Sequence, residues 1–191
     1  MLNVRRNILT NAPDLPFTTA GQTYRVKAAT EAWELRQYAA LRRRTFCIEQ
    51  GLFPSSDHDE HDVIATPIVA VSYAAVCYDE VIGCVRIFPA DDGCTWYGSR
   101  LSVTPDWRGA VPLVTSLIRA AVCTAHARGC CRFLATVQRQ NAPLFRRLHW
   151  QSIEPTEIRG RPHLLMQADL SHYAPRDIAL LPMAQPARAA S

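Results

Sequence analysis

The stretch 111–129 constrains this chain more than any other. Leu113, Val114, Leu117, Ile118, Ala121, Val122 and Ala125 recur at i, i+3 and i+4 spacing, and Gly129 stands where a helix C-cap belongs. A helix with one apolar face has to bury it against another layer. Candidate strands flank it: 96–103, reached through the Asp91-Asp92-Gly93 turn, and 132–138. Strand, helix, strand in that order predicts an α/β sheet with this helix packed on it.

The remaining segments extend the same pattern. Residues 23–29 alternate as a strand, with Tyr24, Val26 and Ala28 on one face and Arg25 and Lys27 on the other. Thr30 is the expected N-cap of a helix whose core positions are Trp33, Leu35, Tyr38, Leu41 and Phe46. Residues 51–62 are polar and acidic and predict a loop. Residues 67–78 and 81–88 predict an antiparallel hairpin turned at Asp79-Glu80. Asn141 is the expected cap of a short helix carrying Leu144, Phe145 and Leu148, with Pro143 in its first turn. Residues 150–158 and 162–169 are expected closing strands, turned by Arg159-Gly160-Arg161. The expected organisation is an N-terminal arm (1–22), one domain (23–170) and a flexible C-terminal tail (171–191).

Composition narrows the function. A chain of 191 residues with 48% hydrophobic and 20% charged residues fits one soluble domain with its own core. Arg5 and Arg6 are followed by polar Asn7 and Asn11 and by Pro13, so no secretory leader is expected and the cytoplasm is the expected location. No apolar stretch is long enough to span a bilayer. The net charge is +4, and Lys27 is the sole lysine, so the positive charge is arginine. Those arginines are scattered, with Arg42-Arg43-Arg44 the single triplet, which argues against a nucleic-acid surface. The seven cysteines show no Cys-x-x-Cys spacing and most lie in apolar runs, so they are expected as reduced, buried thiols.

Three strings carry chemistry. The first, Arg100-Leu-Ser-Val-Thr-Pro-Asp-Trp-Arg-Gly109, leads into the amphipathic helix. It resembles the strand–loop–helix with which the GNAT acetyltransferase superfamily holds acetyl-CoA, and the resemblance covers about residues 23–170. It implies the GNAT fold, a mixed and mostly antiparallel sheet flanked by helices, with acetyl-CoA as co-substrate. Backbone N–H groups at a helix N-terminus suit a pyrophosphate, and the preceding strand offers its backbone to the pantetheine arm. The implied donor-site residues are Leu101, Val103, Arg108, Gly109, Ala110, Val111, Leu113, Val114 and Thr115, with the Val103 N–H beside a strand bulge as oxyanion donor. Val111 and Val114 stand where the superfamily places glycines, and Pro112 has no N–H to give.

The second string, Asn141-Ala-Pro-Leu-Phe-Arg-Arg-Leu-His-Trp150, resembles the superfamily's Asn-x-x-Ala-x-x-Leu-Tyr region. The resemblance implies a CoA contact at Asn141 and places Phe145 where many members carry a proton-donating tyrosine. The third, Leu41-Arg-Arg-Arg-Thr-Phe-Cys-Ile-Glu-Gln-Gly51 with Asp57-His-Asp-Glu-His-Asp62, resembles the acceptor-site wall of one GNAT branch and, more loosely, of acyl-homoserine lactone synthases. It implies Arg44, Phe46, Glu49, Asp59, Asp62, Arg86 and Arg100 on the acceptor side, with Glu49 as the candidate base. Arg86 and Arg100 fall in apolar strands and need carboxylate partners, for which Glu49, Asp59 and Asp62 are the candidates. A structural ion-pair network is the alternative. His58 and His61 lie among carboxylates, but no third well-spaced histidine accompanies them and no metal is expected. His149 and His163 stand isolated and His126 sits on the helix, and each is expected as a packed or exposed side chain rather than a catalytic one. With Leu148-His-Trp150 and residues 160–170, the chain resembles the nitrogen-starvation N-acetyltransferase subfamily, encoded beside a nitrilase.

The expected function is N-acetyl transfer from acetyl-CoA to a small-molecule amine, with no nucleic-acid or membrane partner and a homodimer as the assembly left open. Two alternatives stay open. One is a transferase using another acyl donor, as acyl-homoserine lactone synthases do. The other is a GNAT-fold binding or assembly module that has lost the chemistry.

Overall fold

The structure, a computed structural model, describes residues 17–19, 22–74 and 77–178. Its sheet runs β1 (Phe17–Thr19), β2 (Gln22–Ala28), β3 (Thr66–Ala74), β4 (Cys77–Pro89), β5 (Thr95–Val103), β6 (Arg132–Gln138), β8 (Arg161–Ala168) and β7 (Trp150–Ile158), in that spatial order. Every neighbouring pair is antiparallel except β5 and β6, which are parallel. The crossover between those two is helix α2 (Val111–Ala127), as a parallel connection requires. Strand β1 falls inside the expected arm, where it extends the sheet by one short strand.

Helix α2 buries Leu113, Leu117, Ile118, Ala121, Val122 and Ala125 against one face of the sheet, in a core shared with Ile68, Ile82, Ile87, Phe133 and Met166. Full burial contributes about 1.5–3 kcal/mol for each of these side chains larger than alanine. Helix α1 (Ala32–Arg43) covers the other face with Tyr38 and Leu41 over Val69, Val71, Val81 and Cys84. Burial pushes the Cys84 thiol up to about 12, so it packs as a small apolar group. Helix α3 (Ala142–Arg147) has Pro143 in its first turn, as expected.

Several expectations need correction. The N-cap of α1 is Glu31, not Thr30: the N–H groups of Thr30 and Glu31 both donate to Glu34, which also holds Lys27 at 2.6 Å. Leu35 is exposed on the outer side of α1. The chain reverses between the paired residues Ala74 and Cys77, so Asp79 and Glu80 belong to β4 rather than to a turn. Asn141 precedes α3 without a capping side-chain hydrogen bond. Cys94 and Cys131 form a disulfide with Cα atoms 5.3 Å apart, so not every cysteine is a reduced thiol. Each lies one residue before the parallel pairing of Thr95 with Arg132, which brings them together.

The chain beyond β8 is docked as far as it is described. Tyr173 is buried, donates through its hydroxyl to the Leu148 carbonyl and accepts from Trp150 Nε1 at 3.0 Å. Arg128 grips Asp177 and the Thr66 hydroxyl. The rest of the expected tail, 179–191, lies outside the described residues. Among the described residues, no helix is long and apolar enough to cross a membrane.

Candidate active site

The site begins where the parallel strands part. β5 and β6 pair from Thr95/Arg132 to Gly98/Ala135 and no further, although β5 runs on to Val103 and β6 to Gln138. At the last pair, a Cβ on residue 98 would stand 2.9 Å from Phe133 Cε1, so glycine lets the Phe133 ring close the base of the gap. A cavity of about 400 Å³ passes through the opening. Its wall toward α2 and α3 is apolar, with Val85, Ile118, Ala121, Phe133, Phe145 and Trp150. The opposite wall is polar and aromatic, and includes Phe46, Phe53, Asp59, Arg86, Arg100 and His163.

The edge of β5 facing this gap offers backbone groups. The Thr104 N–H donates to the Ile82 carbonyl at 2.9 Å. Antiparallel alternation therefore turns the N–H of Val103, and of Leu101 before it, toward the unpaired edge. The bulge expected beside Val103 lies a little earlier: the register shifts between Cys84/Ser102 and Arg86/Ser99, with Arg100 at φ 56°. Arg100 lines the polar wall of the cavity from that left-handed position.

The loop before α2 differs from an open anion cradle. The Ala110 N–H donates to the Trp107 carbonyl and the Val111 N–H to the Gly109 carbonyl, while those of Leu113 and Val114 converge on the Ala110 carbonyl. Of the N–H groups of Gly109, Ala110, Val111, Leu113 and Val114, only that of Gly109 has no partner among the described residues. Gly109 makes the turn at φ 89°, a conformation open to glycine. The Ser116 hydroxyl donates to the Pro112 carbonyl at 2.8 Å. The Arg108 guanidinium is half exposed and pairs with Glu49, whose other oxygen accepts from Arg44 at 3.1 Å. Glu49 is not among the residues lining the cavity.

The polar wall is backed by a lattice of three arginines and three aspartates, of which Asp59, Arg86 and Arg100 line the cavity. Arg42 and Arg100 meet at Asp57, with Nε to Oδ2 distances of 2.7 and 2.8 Å. Arg86 forks onto both oxygens of Asp59 at 2.6 and 2.9 Å, and Arg100 joins it there at 3.0 Å. Asp62 accepts from Arg42 at 2.6 Å and Arg86 at 2.9 Å. Burial alone would raise the Asp62 carboxyl, but the Arg42 hydrogen bond, with the Asp59 N–H and Arg86, holds it well below the usual carboxylate range. The balance at Asp59 is the same, with Arg86 the main partner against burial. Asp57 takes the place expected of Glu49.

Two local features build this wall. α1 widens into a π-helical turn over Arg44–Glu49, a distortion that re-aims side chains where it occurs. Phe46 thereby faces the cavity, and the chain reverses through hydrogen bonds from the Leu52 and Phe53 N–H groups to the Phe46 carbonyl. The turn at Glu60–Val63 is capped by Asp59, which accepts the His61 N–H. His61 stacks on Phe88 at 4.3 Å. With these carboxylates committed to arginine, no group of three His, Cys, Asp or Glu side chains is arranged for a metal among the described residues.

The structure thus gathers Phe46, Asp59, Arg86, Arg100, Leu101, Asn141 and Phe145 on one cavity and Asp62 directly behind it. Arg44 and Glu49 stand outside the lining, joined to Arg108. Sequence reasoning passed over Asp57, Gln50, Gln138 and His163. Gln138 reaches Gln50 at 3.1 Å, bridging β6 and the segment after the π turn.

Comparison with known proteins bears on the family and the fold. The model of the acetyltransferase (GNAT) family matches residues 28–150. ElaA of Escherichia coli is similar in structure, with a TM-score of 0.60 at 20% identity over 76% of this chain and 98% of that one. An aminoglycoside 6'-N-acetyltransferase complexed with coenzyme A gives 0.58 at 13% identity over 75% and 95%. The CoA-dependent acyl-homoserine lactone synthase BjaI, solved with SAM and isopentyl-CoA, gives 0.57 at 17% identity over 70% and 74%. A search of curated proteins finds no sequence match. The chain belongs to the acetyltransferase (GNAT) family and has its acyl-CoA N-acyltransferase fold.

Proposed function

We propose that this chain is an N-acetyltransferase that moves an acetyl group from acetyl-CoA to the amine of a small molecule. The observation that carries the reading is the parting of β5 from β6, with a cavity in the gap lined by Leu101 on the unpaired edge of β5, which runs on to Val103. Such an edge pairs with an amide-bearing arm as an added strand would. Arg108, the Gly109 N–H and the Thr115 hydroxyl would hold the pyrophosphate, and Asn141 the arm beside α3. The first turn of α2 gives little, since its N–H groups are internally satisfied.

In the reaction, the amine enters from the polar wall and the thioester from the apolar one, so the two meet in the gap. Holding them in line supplies much of the acceleration. The N–H of Val103 would donate to the oxygen on which charge develops. Phe145, packed edge-on to Trp150 at 5.1 Å, has no hydroxyl to give. The arginine–aspartate lattice orients the acceptor wall and sums to no net charge, which suits a substrate recognised by shape and hydrogen bonds. The strings at 148–150 and 160–170 favour the nitrogen-starvation subfamily as its branch.

One observation favours a second reading, with a longer acyl donor. The cavity wall toward α2 is apolar well beyond what an acetyl methyl needs, and BjaI is a synthase solved with isopentyl-CoA. Thiol release measured with acetyl-CoA, longer acyl-CoAs and acyl-carrier thioesters, each against a panel of primary amines, tests both. Turnover with acetyl-CoA supports the first reading. Turnover confined to longer acyl groups moves the assignment to the second, and no turnover with any donor leaves a binding module.

A further inference from the structure

His163, isolated in sequence, is placed by the fold at the polar wall of the cavity. It stands opposite Gln138 in the β6–β8 register, past the point where β5 and β6 part. On β8, Leu164, Met166 and Ala168 face the core under α2. Strand alternation puts His163 on the other face, with Thr136 and Gln138. The residue is 5% exposed and lines the cavity, as Ile158 does.

The tautomer follows from one contact. Nδ1 lies 2.8 Å from the Arg161 carbonyl oxygen. A carbonyl only accepts, so Nδ1 carries the hydrogen, and in its neutral form the ring has its lone pair on Nε2. Among the described residues Nε2 has no hydrogen-bond partner, yet it is not among their sealed polar atoms. Among the described residues, no carboxylate lies within ion-pair distance of the ring. The lone pair therefore opens on the cavity.

We infer that His163 is the proton acceptor for the attacking amine. The inference rests on the acyl-transfer reading above. As the amine nitrogen forms its bond to the thioester carbon, Nε2 takes the proton that nitrogen loses. The C–S bond then breaks with its electron pair on sulfur. The thiolate recovers one proton from the imidazolium through cleft water, and His163 returns to its neutral Nδ1–H form. Glu49 does not compete for this role, because both its oxygens are engaged by arginines outside the cavity lining.

The test separates placement from catalysis. In the full-length chain labelled with ¹⁵N-histidine, long-range ¹H–¹⁵N spectra report the His163 tautomer, assigned by loss of the signal in His163→Asn. Nδ1–H is expected, and an Nε2–H tautomer overturns the inference. His163→Asn keeps a donor for the Arg161 carbonyl but has nothing at Nε2. With acetyl-CoA and the best amine of the panel, its kcat is expected to fall about a hundredfold or more. Its affinity for acetyl-CoA is expected to stay within about threefold, and added imidazole to restore part of the rate to His163→Ala. A His163→Asn kcat within about threefold of the parent overturns the inference. If the parent chain acetylates no amine, the acyl-transfer reading is what fails, and the tautomer still decides where the lone pair sits.

Discussion

Glu49 and Arg108, 59 positions apart, form an ion pair that ties the π-helical turn after α1 to the loop before α2. On the proposed reading the same guanidinium binds the pyrophosphate of acetyl-CoA, which then competes with Glu49 for it. Arg108→Gln is expected to weaken acetyl-CoA binding about tenfold, the scale of one charge-assisted hydrogen bond. Glu49→Gln removes the competitor and is expected to tighten binding by a few fold. Calorimetric titration of both variants measures the pair of shifts, and weaker binding in Glu49→Gln contradicts the competition.

Asp57 is the hub of the buried lattice, since Arg42 and Arg100 both donate to its Oδ2. Asp57→Ala leaves two buried guanidinium groups short of a partner and is expected to cost about 3–5 kcal/mol in urea unfolding. Arg44→Ala, at an exposed pair, is expected to change little.

The lattice also sets the response to acid. Asp59 and Asp62 have carboxyls held below the ordinary value in the folded chain by Arg86 and Arg42, against the opposing effect of burial. Their contribution is therefore complete above the unfolded carboxylate pKa of about 4 and is lost as pH falls below it. Urea midpoints are expected to drop steeply below about pH 4 in the parent chain and less steeply in Asp62→Asn.

The Cys94–Cys131 bridge closes a loop over a sequence separation of 37. Reduction is expected to lower stability by about 2–4 kcal/mol. Thermal melts with and without a reductant, beside a Cys94→Ser/Cys131→Ser double variant, check it. Unchanged melting on reduction contradicts the bridge.

The layout of the fold was legible because it is periodic. The α2 pattern, the alternating strands and Gly129 each report a local geometry, and each holds in the structure. The parts that escaped are contacts between distant positions. Asp57, Asp59 and Asp62 look alike in an acidic loop, and only the turn capped by Asp59 decides which arginine each meets. Cys94 and Cys131 become neighbours only through the parallel pairing of β5 and β6. The reversal placed at Asp79-Glu80 followed polarity, whereas the ladder runs on through those residues to Cys77. His163 carries no sequence signal beyond being a histidine in a strand; its meaning comes from the Arg161 carbonyl and the open gap beside it.

Titration of the full-length chain with acetyl-CoA in a calorimeter tests the central claim most directly. The account predicts saturable one-to-one binding with a Kd below about 1 mM, the upper end of ordinary substrate affinities, reversed by free CoA. Absence of binding heat at millimolar acetyl-CoA would contradict it.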